Sequence, residues 1–211
     1  GTESDYHINC YGDKVKTKTM AATKKIAIGG HNKKKRYILN EDEHIDFLVY
    51  LGVMTKDGKV VNSKYNKFRQ INKYLELIKP SIDMLPKDRP LKIVDFGCGK
   101  AYLTFVFYYY VVKILNMQAE ITDLDLKEEV IDYCNKVARE LGYDSLEFQK
   151  GNIKDYSRTQ DVDMVIMLHA CDNATDEGIV QSLKFNAKII IAVPCCQHEF
   201  FRQIENENLE P

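Results

Sequence analysis

A turn between a predicted strand and a predicted helix contains the residue types of a ligand-binding loop. In LKIVDFGCGKAYLT, Gly97 and Gly99 follow an apolar run that contains Asp95. Glycine lets backbone amides approach a ligand at a distance that a Cβ would block. A dinucleotide fingerprint needs a third glycine where Tyr102 stands, and a P-loop needs Ser or Thr where Ala101 stands. The turn therefore predicts a ligand without a pyrophosphate, and it disfavours NAD, FAD and ATP.

Acidic and amide side chains follow the next two predicted strands, where they could hydrogen-bond a ligand. The segment ITDLDLK places Asp123 and Asp125 at the end of the second strand, and FQKGNIKDY places Asn152 after the third. A carboxylate at such a strand end can accept hydrogen bonds from both hydroxyls of a ribose. Asp123 has an alternative role as an acid at the start of the next helix, which the helix dipole favours. Asp155 is a second candidate after the third strand, and Gly-Asn is also a common turn dipeptide.

Cysteine and histidine side chains follow the fourth and fifth predicted strands, which end in MLHACDNATD and AVPCCQHEF. In a doubly wound sheet these ends lie beside the first strand and its turn. Three interpretations stay open: buried packing residues with a helix cap, a general base or orienting group, or a metal site. Successive side chains of a strand point to opposite faces, so we expect no tightly bound metal on the paired cysteines. The residues concerned are His169, Cys171, Asp172, Cys195, Cys196 and His198.

Strands and helices alternate from residue 91 onward, and this order must position the residues above. The sequence predicts strands at 91–96, 119–124, 146–150, 162–168 and 187–193, with helices near 101–116, 127–141 and 174–184. The first strand and the last two are continuous apolar runs, which are typical of a parallel sheet covered on both faces. Right-handed crossovers then give a Rossmann-like, doubly wound, mostly parallel α/β sheet in the order 3-2-1-4-5.

The residues before the sheet follow another pattern and are predicted to form a small N-terminal appendage, residues 1–62. Within it, YHINCYGDKVKTKTM alternates around Gly12 and predicts a hairpin. Residues 41–54 predict a short helix that stops near Gly52. An amphipathic helix follows over residues 64–79, and we expect Pro80 to end it.

Composition excludes several classes of protein. The chain has 211 residues, a net charge of −1 and 29% charged residues, so there is no global basic field of the kind that binds nucleic acid. No apolar run approaches the roughly 18 residues of a membrane helix, and no membrane association is expected. Six cysteines without a repeated spacing favour a reduced, cytoplasmic protein.

Taken together, the motifs resemble one family. VDFGCG is similar to motif I of the class I methyltransferases that use S-adenosylmethionine, and LDLK, LHACDNATD and VPCCQHE resemble a poorly characterised branch of it. The resemblance implies S-adenosylmethionine as cofactor, with Asp95 organising the loop near its amino-acid part, Asp125 on the ribose and Asn152 on the adenine amino group. The implied cofactor-binding residues are Asp95, Gly97, Cys98, Gly99, Lys100, Asp125, Leu126, Asn152, Ile153 and His169.

The resemblance also implies missing strands. Class I methyltransferases usually have a sixth and a seventh strand, and the sequence shows neither, so we expect the methyltransferase domain, residues 63–211, to be truncated at its C-terminus. The fifth strand would then be an exposed edge. Because long apolar edges pair with other chains, an edge-to-edge dimer is one expectation.

The sequence therefore predicts an S-adenosylmethionine-dependent methyltransferase. The alternative is a non-catalytic or metal-binding module that retains the fold. His169, Asp172, Cys196 and His198 are the candidate catalytic residues on the acceptor side. The methyl acceptor stays open among RNA, a protein side chain and a small molecule. Lysines interleaved with aromatic residues in the helix predicted at 64–79 are compatible with RNA binding. A solvated helix face with its aromatic side chains in the core is the preferred interpretation, because acids at 41–46 and at 76 dilute the positive charge.

Overall fold

The computed structural model describes residues 3–23, 37–97, 101–157, 161–168 and 173–194. The chain divides into two compact units, residues 1–36 and residues 37–211. Among the helices that lie in these described ranges, none combines the length and the apolar character needed to cross a membrane.

The first unit contains the predicted hairpin. Strand β1 (Ser4–Tyr11) pairs in antiparallel register with β2 (Lys14–Ala21). The connection has two residues, and its Gly12 adopts a φ of 59°. Hairpin loops of two residues commonly need a positive φ, which glycine adopts without a steric penalty.

The second unit contains a parallel five-stranded sheet with helices packed on it. Its strands are β3 (Leu91–Phe96), β4 (Ala119–Asp125), β5 (Leu146–Lys150), β6 (Met164–Met167) and β7 (Ile189–Ala192). They lie in the order β5-β4-β3-β6-β7, and every neighbouring pair is parallel. This is the predicted order 3-2-1-4-5, and the predicted fold class is confirmed. The edge-to-edge dimer through β7 stays a prediction.

The helices of the second unit are α1 (Asp46–Tyr50), α2 (Tyr65–Asp83), α3 (Tyr102–Tyr108), α4 (Glu128–Glu140) and α5 (Asn173–Lys184). Short 3-10 helices occupy Asn62–Lys64 and Ile153–Asp155, and α3 continues as a π-helical segment, Tyr109–Ile114. Two predictions of extent are wrong. Helix α1 begins at Asp46, later than residue 41, whereas its end at Tyr50 agrees with the predicted stop near Gly52, which has a φ of 66°. Helix α2 continues through Pro80, and the burial of Ile82 in the core holds its last turn in place.

One large hydrophobic core joins the start of the second unit to the sheet. Leu39 and Phe47, from the segment before α2, are buried in the same cluster as Phe68 of α2 and Ile93 of β3. The buried amide of Asn72 fixes this segment, because its Oδ1 accepts a hydrogen bond from the backbone N–H of Leu39 at 2.8 Å. The domain boundary that the sequence places after residue 62 stays a prediction.

A charged cluster holds the amino-terminal end of the sheet. Asp163, which is 2% exposed, accepts hydrogen bonds from both terminal nitrogens of Arg89, at 2.6 and 2.8 Å. Its carboxylate also accepts from the backbone N–H of Lys92 at 3.0 Å and from the ammonium of Lys188 at 3.2 Å. These contacts tie the loop before β3, the start of β3 and the start of β7 to the residue before β6.

Candidate functional site

A cavity of about 350 Å³ opens at the carboxyl ends of β3, β4 and β5. This volume lies within the range of about 300–1,000 Å³ that is usual for small-molecule sites. Its wall is formed by ten residues: Gly97, Leu124, Asp125, Leu126, Lys127, Gly151, Asn152, Ile153, Ala174 and Glu177. Five predicted cofactor-binding residues are therefore brought together, namely Gly97, Asp125, Leu126, Asn152 and Ile153.

The other predicted site residues fall into two groups. Asp95 is described and lies beneath the glycine turn, in β3. The rest lie outside the described residues: Cys98, Gly99, Lys100, His169, Cys171, Asp172, Cys195, Cys196 and His198. Their roles stay predictions, and so does the expectation that they hold no metal.

Left-handed backbone flanks the turn after β3. Gly97 adopts a φ of 83° and donates its N–H to the carbonyl of Leu124 at 2.9 Å, which joins the end of β3 to the end of β4. Ala101, immediately before α3, adopts a φ of 52°. Residues other than glycine rarely adopt this backbone conformation, and such strained positions concentrate at functional sites.

The floor of the cavity depends on a glycine after β5. A Cβ on Gly151 would lie 2.8 Å from Cδ2 of Leu124, too close for a real contact. The Gly151 N–H donates to the carbonyl of Asp125 at 3.1 Å, so β5 stays in register with β4 up to the cavity. Next to this floor, Leu126 is 67% exposed. It gives the cavity an apolar rim.

Asp125 and Asn152 are both held by backbone hydrogen bonds. Oδ1 of Asp125 accepts from the N–H of Lys127 at 2.9 Å, which fixes the carboxylate at the end of β4. Oδ1 of Asn152 accepts from the N–H of Lys154 at 3.0 Å and so caps the 3-10 helix Ile153–Asp155. Side chains that are fixed before a ligand arrives lose little freedom on binding it.

Helix α5 also contributes to the wall of the cavity, and this contribution was not predicted from the sequence. A Cβ on Gly178 would lie 2.2 Å from Sδ of Met167, so this glycine lets α5 pack directly on β6. Nε2 of Gln181 donates to the carbonyl of Lys154 at 2.5 Å and joins α5 to the 3-10 helix. As a result, Glu177 lines the cavity. A glycine inside a helical segment was the available signal, since it often marks close packing.

Three buried polar side chains lie beneath the turn. The hydroxyl of Thr104 is 2.9 Å from Oδ2 of Asp95 and 2.8 Å from Oδ2 of Asp123. Thr104 is 2% exposed, Asp95 4% and Asp123 0%. A hydroxyl has one proton to donate. Both contacts are therefore satisfied when one carboxyl is protonated and donates to the threonine oxygen.

The electrostatics of this cluster agree with that hydrogen-bond count. Burial raises the pKa of Asp95 to about 7, although the hydrogen bonds from Thr104 and from the Phe96 N–H act in the opposite direction. The alternative role of Asp123 as an acid at a helix start is wrong, because Asp123 is buried inside β4. Thr104 was not among the predicted site residues, since a threonine in a helical segment carries no distinctive signal.

A lysine and a tyrosine meet where α2 approaches α3. Nζ of Lys67 lies 4.6 Å from the centroid of the Tyr102 ring, a cation–π contact. Burial lowers the pKa of Lys67. Phe68 and Tyr74 of the same helix are in the core, so they cannot stack on a ligand. Tyr65 of the same helix is only half-buried.

Comparisons with known proteins identify a family. A family model described as "Methyltransferase domain" matches residues 66–203, more than half of the chain. Among solved structures, a putative RNA methyltransferase, PH1948, from Pyrococcus horikoshii is 16% identical over 63% of this chain and 60% of its own, with a TM-score of 0.45. No curated protein matches the chain.

Two further solved structures are similar at the same level. A SAM-dependent methyltransferase from Geobacter sulfurreducens, in complex with S-adenosyl-L-homocysteine, is 16% identical over 56% of this chain and 47% of its own, with a TM-score of 0.40. The CMeT domain of a citrinin polyketide synthase is 20% identical over 48% and 27%, with a TM-score of 0.41. The chain thus spans between 27% and 60% of the length of these three solved chains.

Proposed function

The chain belongs to the methyltransferase-domain family whose model matches residues 66–203, and from that membership we propose that it transfers the methyl group of S-adenosylmethionine to an acceptor. The observation that carries this proposal is the cavity at the carboxyl ends of β3, β4 and β5. Gly97, Asp125 and Asn152 come from three different strand ends and line it together. Ligands of open parallel sheets bind at this position, beside the point where the strand order reverses.

The residues of the cavity fit the parts of S-adenosylmethionine. Asp125 would accept hydrogen bonds from the ribose hydroxyls, and Ile153 and Leu126 would contact the adenine with their apolar side chains. Gly97 would let the turn approach the amino-acid part, and Asp95 would hold that turn from below through Thr104. When bound, the cofactor supplies a methyl group already activated by its sulfonium, so alignment of the acceptor provides most of the rate.

The acceptor side of the proposal rests on sequence motifs. His169, Asp172, Cys196 and His198 follow β6 and β7 in the chain, and we keep them as candidate catalytic residues near the methyl group. The motifs LHACD and PCCQHE that contain them also support membership of one branch of the family. We further propose a cytoplasmic location, since the cysteine pattern is that of a reduced protein.

The contact between Lys67 and Tyr102 supports RNA as the methyl acceptor. Lys67 brings a partly buried positive charge onto Tyr102, and Tyr102 begins the helix that follows the glycine turn. A cation beside an aromatic ring is a common element of surfaces that hold single-stranded nucleic acid. A protein side chain and a small molecule are the other acceptor classes.

Calorimetric titration of S-adenosylhomocysteine, the reaction product, tests the cofactor site. Asp125→Asn keeps an acceptor for the Lys127 N–H but removes the charge, and it should weaken binding at least about tenfold, since hydrogen bonds to charged groups contribute about 1.5–3 kcal/mol. Asp132→Asn, on the exposed face of α4, is the matched control and should leave the affinity unchanged. Wild-type protein that binds neither S-adenosylmethionine nor its product would contradict the proposal. Stoichiometric zinc by elemental analysis would favour the metal-binding alternative.

A further inference from the structure

Glu177 is a carboxylate in the cavity to which no role has been assigned. It lines the cavity from α5, and Asn152 and Ile153 line the same cavity. Among the described residues, it has no hydrogen-bond or ion-pair partner. A carboxylate is an acceptor only. It therefore suits a ligand that presents a hydrogen-bond donor at this end of the cavity.

The hydrogen bond that Asn152 already makes determines which of its side-chain groups is left for a ligand. Its Oδ1 accepts from the Lys154 N–H, so one of the two acceptor sites of this oxygen is engaged in capping the 3-10 helix. Its amide nitrogen remains, and that nitrogen is a donor of two hydrogens. Asn152 is therefore better suited to a ring nitrogen of a purine, which accepts, than to an amino group, which donates.

We propose that Glu177 is a specificity-determining residue that accepts a hydrogen bond from the exocyclic amino group of the cofactor's adenine, while the amide of Asn152 donates to a ring nitrogen. The inference rests on the proposed function, because it assigns the adenine end of the same cavity. An acceptor beside a donor matches the edge of adenine. The edge of hypoxanthine presents a carbonyl oxygen and a ring N–H instead, so both contacts would be reversed.

The fold explains why a helix after β6 reaches the adenine end. The described part of the crossover from β5 to β6 contains the one-turn helix Ile153–Asp155, and α5 packs against that turn through the bond from Gln181 to the carbonyl of Lys154. Gly178 allows the approach, since a Cβ there would collide with Met167. Glu177 precedes this glycine and is placed at the cavity by the same packing.

Calorimetry with two ligands tests the assignment. S-adenosylhomocysteine and S-inosylhomocysteine differ in the purine edge, and the wild-type protein should prefer the first by at least about tenfold, since the Glu177 carboxylate would face the carbonyl oxygen of hypoxanthine without a donor. Glu177→Ala should weaken S-adenosylhomocysteine about tenfold, leave S-inosylhomocysteine unchanged or slightly tighter, and so remove most of the preference. Asp176→Asn, on the same helix but outside the cavity lining, should change neither affinity.

The outcomes separate this inference from the proposed function. If wild-type protein binds S-adenosylhomocysteine and Glu177→Ala changes both ligands equally, or neither, the inference is overturned while the proposed function stands. If wild-type protein binds neither ligand, both are overturned. Thermal unfolding of each variant must match the wild type. Should Glu177→Ala unfold, Glu177→Gln serves in its place, because its amide can donate to the hypoxanthine carbonyl and should narrow the preference between the two ligands.

Discussion

Two buried aspartates lie at opposite ends of the same sheet and have opposite electrostatics. Asp163, at the amino-terminal end, is bound by the guanidinium of Arg89 and by Lys188. The hydrogen bonds from Arg89, followed by those from the Lys92 N–H and Lys188, hold its pKa far below the usual value. Asp95, at the carboxyl end, shares the Thr104 hydroxyl with the carboxyl group of Asp123, and burial raises its pKa to about 7.

The difference distinguishes a buried carboxylate that holds the strands together from a buried carboxyl group that supports a ligand-binding turn. A buried carboxylate that only joins strands is accompanied by cations, because an unpaired charge in the core is costly. Among the described residues, no cation contacts Asp95 beneath the ligand-binding turn, and its pKa of about 7 leaves it partly protonated at neutral pH. Perturbed carboxyl groups of the second kind concentrate at functional sites. The comparison predicts that changes at the amino-terminal end alter stability, and that changes at the carboxyl end alter binding.

The largest effect is expected at the amino-terminal end. Asp163→Asn leaves Arg89 and Lys188 without a charged partner and should lower the free energy of unfolding by about 2–3 kcal/mol. This is less than the roughly 3–5 kcal/mol typical of a fully buried pair, since both cations are partly exposed and screened. Urea denaturation measures the loss. Affinity for S-adenosylhomocysteine should not change in the folded variant.

The control and the pH dependence sharpen this prediction. Asp161→Asn removes an exposed carboxylate two residues away and should change stability by less than about 0.5 kcal/mol. The pKa of Asp163 is lower in the folded state than in the unfolded state. Its stabilising contribution to the free energy of unfolding is therefore present above pH 4 and is lost as the pH falls below 4. Equal losses for both variants, or a loss of the same size at pH 5 and at pH 2, would show that the ion pairs are not the cause.

At the carboxyl end, Asp95→Asn should change the pH dependence of stability in the opposite sense. The folded-state pKa of Asp95 is near 7, above the unfolded value. The stabilising contribution of this group to the free energy of unfolding is therefore complete below pH 4 and is lost as the pH rises through 7. The variant leaves one ionisable carboxyl group in the cluster instead of two. Relative to wild type, it should gain about 1–2 kcal/mol between pH 5 and pH 8. Thr104→Val is the companion variant.

The two variants at this end distinguish charge from hydrogen bonding. Thr104→Val removes the hydroxyl that both carboxyl groups contact and should weaken S-adenosylhomocysteine binding, whereas Asp95→Asn keeps an acceptor for that hydroxyl. Urea denaturation at several pH values gives the stability profile, and calorimetry gives the affinity. A profile for Asp95→Asn that runs parallel to the wild type would contradict the shared proton.

The strand order and the strand-end residues of the site were predictable from the sequence, whereas the buried polar cluster beneath the turn was not. The order of the five strands follows from apolar runs and right-handed crossovers, and Gly97, Asp125 and Asn152 occupy the predicted strand ends. The sharing of Thr104 by two carboxyl groups was not predictable, because it depends on how α3 packs over β3 and β4. Glu177 was missed for a similar reason, since its position depends on the contact between Gly178 and Met167.

A smaller effect should follow from Asn152→Asp, which changes binding without changing the fold. Aspartate is as good a helix cap as asparagine, so the bond from the Lys154 N–H survives. The side chain loses its amide donor, and S-adenosylhomocysteine should bind about three- to tenfold more weakly while the unfolding midpoint stays within about 1 °C of wild type. The same substitution at Asn135 is the contrasting variant, because Nδ2 of Asn135 donates to the carbonyl of Phe148 at 2.7 Å and Asn135→Asp removes that donor. That variant should lower stability instead.

The smallest effect is expected outside the cavity, at the lysine–tyrosine pair. If RNA is the acceptor, Lys67→Ala should weaken binding of a labelled single-stranded RNA about two- to fivefold at low salt and reduce the magnitude of the salt-dependence slope by about 1, since one phosphate contact is lost. Lys73→Ala, on the same helix and paired with Glu76 at 3.3 Å, is the control with an equal change of charge. Identical losses for the two variants would indicate non-specific attraction and would remove the argument for RNA. Unchanged affinity for S-adenosylhomocysteine in Lys67→Ala would place this lysine on the acceptor side, and a loss of that affinity would instead connect it to the turn beside Tyr102.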